Sequence, residues 1–179
     1  MWEGLADVDP GPQFPGVLQM IVEVPKGSTN KYEYDPKLGV FRLDRTLYSP
    51  MHFPGNYGFV PGTIAEDGEP LDILCLADQP SFPGCLMVVR PVGMLDMLDA
   101  NQVDHKILAV PAKDPRFDHV QEIGQIFPHV RREVELFFAI YKELESVGTR
   151  MEGWRGLEAA EVILRESRER FCARAVGIG

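Results

Sequence analysis

Cysteine is scarce in this chain, and what there is does not pair up. Cys75, Cys85 and Cys172 are an odd number with no C-x-x-C spacing among them, which argues against a zinc site and against a disulfide framework. Cys75 and Cys85 fall in apolar, strand-like runs, so the three read as reduced thiols of a cytoplasmic protein. Positive charge is also short. The 18 Lys and Arg against 27 Asp and Glu leave a formal net charge of −9, whereas a nucleic-acid binder ordinarily shows a basic face. No apolar run approaches membrane-spanning length. The opening MWEGLADVDPGPQFPG is acidic and rich in Pro and Gly, unlike a signal peptide. Neither a membrane nor a nucleic-acid partner is expected, and there are no internal repeats.

What is present is enough for one domain. With 179 residues and 45% hydrophobic content, the chain can bury a core without staples. It is expected to form a single domain over 1–179, with an N-terminal extension over 1–15 and a flexible tail over 173–179. Pro and Gly are dense up to about residue 93, and short extended segments dominate up to about residue 110. Strands are predicted over 17–24 (VLQMIVEV), 31–34, 40–44, 56–60, 71–76, 85–92 and 106–110, with a hairpin-like connection over 35–39. Many short strands at close spacing suggest a small barrel or sandwich. Beyond Pro128, a good first helical residue, Val130, Val134, Phe137, Phe138, Tyr141 and Leu144 recur at helical spacing. A second helix is predicted over 157–171. The architecture expected is a mainly β (α+β) barrel with two C-terminal helices packed against it.

The candidate chemistry starts at Asp67-Gly68-Glu69-Pro70-Leu71-Asp72. Three acids at D-x-E-x-x-D across a Gly-Pro turn repel one another unless a cation joins them, and hard divalent ions prefer such oxygen ligands. A solvated acidic turn is the equally simple alternative. In Lys31-Tyr32-Glu33-Tyr34, strand alternation puts the charged pair on one face and the tyrosines on the other. Arg45, in L-D-R, suits capture of phosphate oxygens or a surface salt bridge. Tyr57 lies between two glycines that let the backbone turn and present its phenol, or it is an aromatic core plug. Asp99 and Asp104 flank a polar loop and would make a second acidic cluster, with Asp104 and Lys106 on one strand face and Asp96 as plain surface. Tyr141 belongs to the apolar stripe of the first helix, and Lys142 follows it. The four histidines do not fall at metal-ligand spacing and carry no assigned chemistry.

Taken in order, I-V-E-V-P, N-K-Y-E-Y-D, L-D-R, F-P-G-N-Y-G-F-V-P, E-D-G-E-P-L-D, V-G-M-L-D-M-L-D, D-H-K, F-D-H, F-F-A-I-Y-K-E-L-E and E-G-W closely resemble the soluble family I inorganic pyrophosphatases of bacterial type. The resemblance spans roughly residues 17 to 170. It implies a five-stranded, OB-like β-barrel with flanking helices, and hydrolysis of pyrophosphate to two phosphates by direct attack of metal-activated water. Asp67, Glu69, Asp72, Asp99 and Asp104 would be Mg2+ ligands, with Mn2+ or other divalents as substitutes. Glu23 and Glu33 would belong to the same acidic, metal-holding cavity and orient its waters. Lys31, Arg45, Lys106, Tyr141 and Lys142 would hold phosphate oxygens. Tyr57 would help to position the nucleophile, and Glu69 to deprotonate it, beside Asp67 and Asp72. With no Ser, Cys or His in this set, no covalent phosphoenzyme is expected. The resemblance also implies a cytoplasmic homo-oligomer, commonly a hexamer, for which Leu136 and Ile140 are candidate interface residues.

Two positions depart from the family pattern. The signature usually reads D-x-D-P-x-D, and here the middle acid is Glu69. An acid often follows the Asp99 position, and here it is Ala100. A reacting group misplaced by about 1 Å can cost on the order of a hundredfold in rate. A catalytically weak relative that binds metal and phosphate is therefore the second reading, and an OB-like nucleic-acid module, disfavoured by the acidic charge, the third.

Overall fold

The computed structural model describes residues 4–141 and 148–176, with side chains through residue 174. Among the described residues there are nine strands and two α-helices. Five strands close on themselves. β1 (Leu18–Val24) pairs with β4 (Asn56–Val60), β4 with β5 (Leu71–Cys75), β5 with β8 (Lys106–Pro111), β8 with β6 (Leu86–Asp99), and β6 returns to β1. Every contact in this ring is antiparallel except β5–β8. This is the five-stranded barrel that was expected. β2 (Asn30–Asp35) and β3 (Val40–Thr46) form a separate antiparallel hairpin.

Two-residue alternation sorts the strands' apolar side chains into two cores. On β5 and β8, Ile73, Cys75, Ile107 and Ala109 join Leu18, Val60 and Val89 in a cluster that draws on all five barrel strands. Ala160 and Leu164 of α2 (Leu157–Val176) complete it. The alternate residues Leu74, Leu108 and Val110 face a second cluster with Val134, Phe137 and Phe138 of α1 (Pro128–Ile140). The barrel can close tightly because β4 carries Gly58. A Cβ there would lie 1.9 Å from the Ile21 carbonyl oxygen of β1, so any side chain would force the two strands apart.

Three differences from the sequence reading stand out, the first with a clear physical cause. β6 does not stop near residue 92 but runs to Asp99, because Pro91 and Gly93 fall at a bulge in the β6–β8 ladder and not at an end. The far half of β6 pairs with two strands that were not foreseen, β7 (Gln102–Val103) and β9 (Thr149–Arg155). α2 continues beyond residue 171 to Val176, so 173–176, expected as part of a flexible tail, are helical. The N-terminal extension is docked on the body where described: Gln19 N donates to Pro10 O (2.7 Å) and Gly62 N to Ala6 O (2.6 Å). Leu144 and the rest of the α1 pattern beyond Tyr141 lie outside the described residues.

Candidate active site

One end of the barrel opens into a cavity of about 450 Å³. Neighbouring strands deliver its polar lining. β1 supplies Glu23, and the β2 alternation supplies Lys31 and Glu33. Tyr57 comes from β4, Asp72 from the second position of β5, Asp99 from the end of β6, Lys106 from the start of β8, and Asp104 from the turn before it. Asp67 and Glu69 stand on the exposed loop between β4 and β5, and Tyr141 lies at the C-terminal end of α1. All the expected site residues therefore meet in one place except two. Arg45 stands opposite Lys31 in the β2–β3 ladder but does not line the cavity, and its guanidinium lies 2.5 Å from Asp44. Lys142 lies outside the described residues.

The centre of the cavity is a buried ion cluster. Lys106, with only 4% of its side chain exposed, is clamped between Asp72 and Asp104, the latter 2.6 Å away. Its ammonium also donates to the Tyr57 hydroxyl (3.3 Å), which itself donates to Asp72 (2.6 Å). The Tyr57 and Phe138 rings form a wall, with centroids 5.7 and 5.8 Å from the Lys106 nitrogen. Burial alone would drive that ammonium toward deprotonation, but Asp72 and then Asp104 overcome it, and its pKa is raised. Burial, reinforced by the Asp72 charge, also raises the Tyr57 phenol. Tyr57 thus packs in the core, on Phe53 (5.5 Å between centroids), while its hydroxyl end lines the cavity. Across the cavity Lys31 pairs with Glu33 and lies 3.7 Å from Asp44.

Glu23 has no such lysine. It accepts a hydrogen bond from the Tyr34 backbone (2.8 Å), yet burial, with Asp72 nearby, pushes its carboxyl up to about 8. In total eight carboxylates face three cationic side chains in the lining, because Glu66 and Arg170 join the residues expected from the sequence. Among the described residues no three carboxylates converge closely enough to cage one ion; the innermost acids are drawn onto lysine instead.

The sequence reading missed five polar lining residues, Tyr34, Glu66, His105, Ser167 and Arg170, and one neighbour just outside the lining. Asp96, taken as plain surface, lies 2.7 Å from His105 Nδ1, in an ion-pair contact that is not an aligned hydrogen bond, and 3.3 Å from Arg155 Nε. That contact joins residues nine positions apart through the β6–β8 ladder, which no local spacing reveals. His105 therefore lines the cavity although it was assigned no chemistry. Glu66 opens the acidic motif itself and was visible there. Ser167 and Arg170 reach the cavity from α2, far along the chain from every acidic motif. Ser167 is fully buried, so it adds no exposed nucleophile.

A family model described as inorganic pyrophosphatase matches residues 20–172. The chain belongs to the inorganic pyrophosphatase family. It is a hydrolase of that family. Its relatives include the inorganic pyrophosphatases of a Nostoc species, 46% identical over 86% of this chain and 90% of that protein, and of Geobacillus stearothermophilus, 43% identical over 87% and 94%. The crystal structure of inorganic pyrophosphatase from Thermus thermophilus superposes with a TM-score of 0.92 at 44% identity, covering 94% of this chain and 98% of that one. The family's barrel is thus the barrel described above, and the acid-lined cavity sits at its open end.

Proposed function

We propose that this protein hydrolyses inorganic pyrophosphate to two orthophosphates in a Mg2+-dependent reaction in which water attacks directly. The observation that carries the reading is the gathering of Asp67, Glu69, Asp72, Asp99 and Asp104 around the Lys106–Tyr57 pair in one cavity of a pyrophosphatase-family fold. The donor set fits a hard divalent ion: it is all oxygen, and Glu23 is a carboxylate that burial, with Asp72 nearby, holds protonated. Those five acids would hold Mg2+, with Mn2+ or another hard divalent as a substitute, and Glu23 and Glu33 would orient the surrounding water. Bound divalent ions supply Lewis-acid activation of water and neutralise phosphate charge.

The chain's own groups have separable tasks. Lys106 keeps its proton because Asp72 and Asp104 flank it, so its nitrogen remains a donor to a phosphate oxygen. Tyr57 keeps its phenolic proton for the related reason of burial beside Asp72, which fixes the Asp72 carboxylate in place. Glu69, exposed at the rim, is placed to take a proton from water entering the cavity. Lys31, Tyr141 and Arg45 extend the phosphate-binding side, Arg45 once it turns from Asp44; Lys142 would join them. An acid-rich cavity repels a pyrophosphate anion, so cation loading precedes substrate. In the cell this reading places the protein in the cytoplasm as a homohexamer, with Leu136, 46% exposed on α1, at a subunit contact.

Phosphate release from pyrophosphate, measured with Mg2+ and with chelator, tests the proposal. Release that requires Mg2+ is expected, and Glu69→Gln should lower kcat by about a hundredfold, the loss typical of a general acid or base. Absence of release at every Mg2+ concentration would refute the enzymatic reading.

A further inference from the structure

The 61–70 loop that carries Asp67 and Glu69 is closed on itself. Ala65 N donates to Glu69 O (2.7 Å) and Gly68 N to Ala65 O (3.2 Å). Asp67 Oδ1 accepts from Glu69 N (3.0 Å), and Thr63 Oγ1, fully buried, bonds Val60 O (2.5 Å) and Leu71 N (3.1 Å). A loop wired in this way moves as a unit. What sets its tilt over the cavity lies on α2. Ile64 N donates to Ser167 O (2.9 Å). Arg170 Nε donates to Ile64 O (2.9 Å), and its second arm reaches Ser167 Oγ (3.4 Å). Arg168 donates to Gly62 O (2.9 Å). Both backbone groups of Ile64 are therefore held by one turn of a helix whose other residues, Ala160 and Leu164, are sunk in the barrel core.

We infer that Arg170, acting with Ser167, is a positioning residue that fixes the tilt of the acidic loop and thereby sets the affinity of the cavity for divalent cations. The inference rests on the metal-dependent reading above. Its physical content is a sign. Arg170 lines the cavity, and a cation beside an acidic site opposes a second cation. Deleting it for charge alone would tighten Mg2+ binding. Deleting it as a tether loosens Asp67 and Glu69 relative to Asp72, Asp99 and Asp104, and weakens binding. Outer partners that orient metal ligands are typically worth about 10–100-fold in metal affinity.

The experiment is calorimetric titration of Mg2+ into the chelator-treated full chain without pyrophosphate, for wild type, Arg170→Ala and Arg170→Lys. Arg165→Ala is the control, since Arg165 is exposed and pairs along the same helix with Glu161 (2.9 Å). Roughly tenfold weaker binding is expected for Arg170→Ala. Arg170→Lys should also be weakened, because an ammonium keeps the charge but cannot span Ile64 O and Ser167 Oγ. The control should match wild type, and excess Mg2+ should restore kcat in both Arg170 variants. Should the alanine variant fail to fold, the lysine variant decides. Binding by the alanine variant that equals or exceeds wild type, or a lysine variant that equals wild type, overturns the inference. Failure of wild type itself to bind Mg2+ refutes instead the metal-dependent reading and removes the inference with it.

Discussion

Glu23 is a carboxylate that folding leaves short of positive charge. Lys31 lies near enough to help, but burial dominates and holds the carboxyl at about 8 against an ordinary 4.5. The folded chain thus binds this proton more tightly than the unfolded chain. Its contribution to stability is complete below about pH 4.5 and is lost as pH climbs through about 8. A glutamine cannot ionise, so Glu23→Gln escapes the loss. In metal-free protein, thermal melts should coincide for wild type and Glu23→Gln at pH 4, below the unfolded value. At pH 9 the variant should melt several degrees higher, at roughly 2–4 °C per kcal/mol for a chain of this length. Equal melting points at pH 9 would mean that the carboxyl ionises without penalty.

The turn between β6 and β7 is where an element's geometry departs from its sequence. Asp99 faces Gln102 across a two-residue connection whose members, Ala100 and Asn101, have φ of 48° and 65°. Asn tolerates this left-handed region, but an alanine there costs roughly 1–2 kcal/mol. Ala100 is exposed, so glycine loses no packing there. Ala100→Gly is expected to raise Tm by roughly 2–4 °C, a gain of about 1 kcal/mol for this chain length. A fall in Tm would show that the extra freedom of glycine in the unfolded chain outweighs the relieved strain. This hairpin carries Asp99 into the cavity, which is why its strain matters to the site. The element also shows what was legible. Branched runs bounded by Pro and Gly betrayed the five barrel strands, and helical spacing betrayed α1. The run on to Asp99 was hidden because Pro91 looks like a stop when the bulge that accommodates it is invisible. β9 was hidden because it covers the edge of β6 with one face outward, so Thr149, Met151 and Gly153 alternate with exposed charged residues and never form an apolar run. The end of α2 was hidden because Cys172, Ala173 and Arg174, beyond Phe171, are all exposed. Site acids carried by strands and their turns were visible as motifs; Ser167 and Arg170, which act across about a hundred positions of chain, had no local signal.

At the scale of the molecule, charge is the recurring term. A formal charge of −9 is concentrated in part into one cavity where eight carboxylates meet three cationic side chains. The barrel must hold that excess together by apolar burial on its two cores, and each acid forced near another subtracts from the result. A divalent ion that binds the folded cavity and not the unfolded chain should return the difference. At about a hundredfold above its dissociation constant, a single bound ion stabilises by about 2.7 kcal/mol. For a chain of this length that is a rise of roughly 5–11 °C in Tm. Differential scanning in chelator and then in increasing Mg2+ should show the melting point climbing continuously past apparent saturation, as mass action requires, and the climb should shrink in Asp72→Asn. Exposed acids elsewhere on the surface would give a different pattern. Their attraction for Mg2+ is screened by added monovalent salt within a Debye length of about 8 Å at physiological ionic strength, so KCl would abolish a surface effect while sparing the cavity's. A Tm that is indifferent to Mg2+, or a rise that KCl erases, would place the cation outside the cavity and separate the acidity of the chain from the chemistry proposed for it.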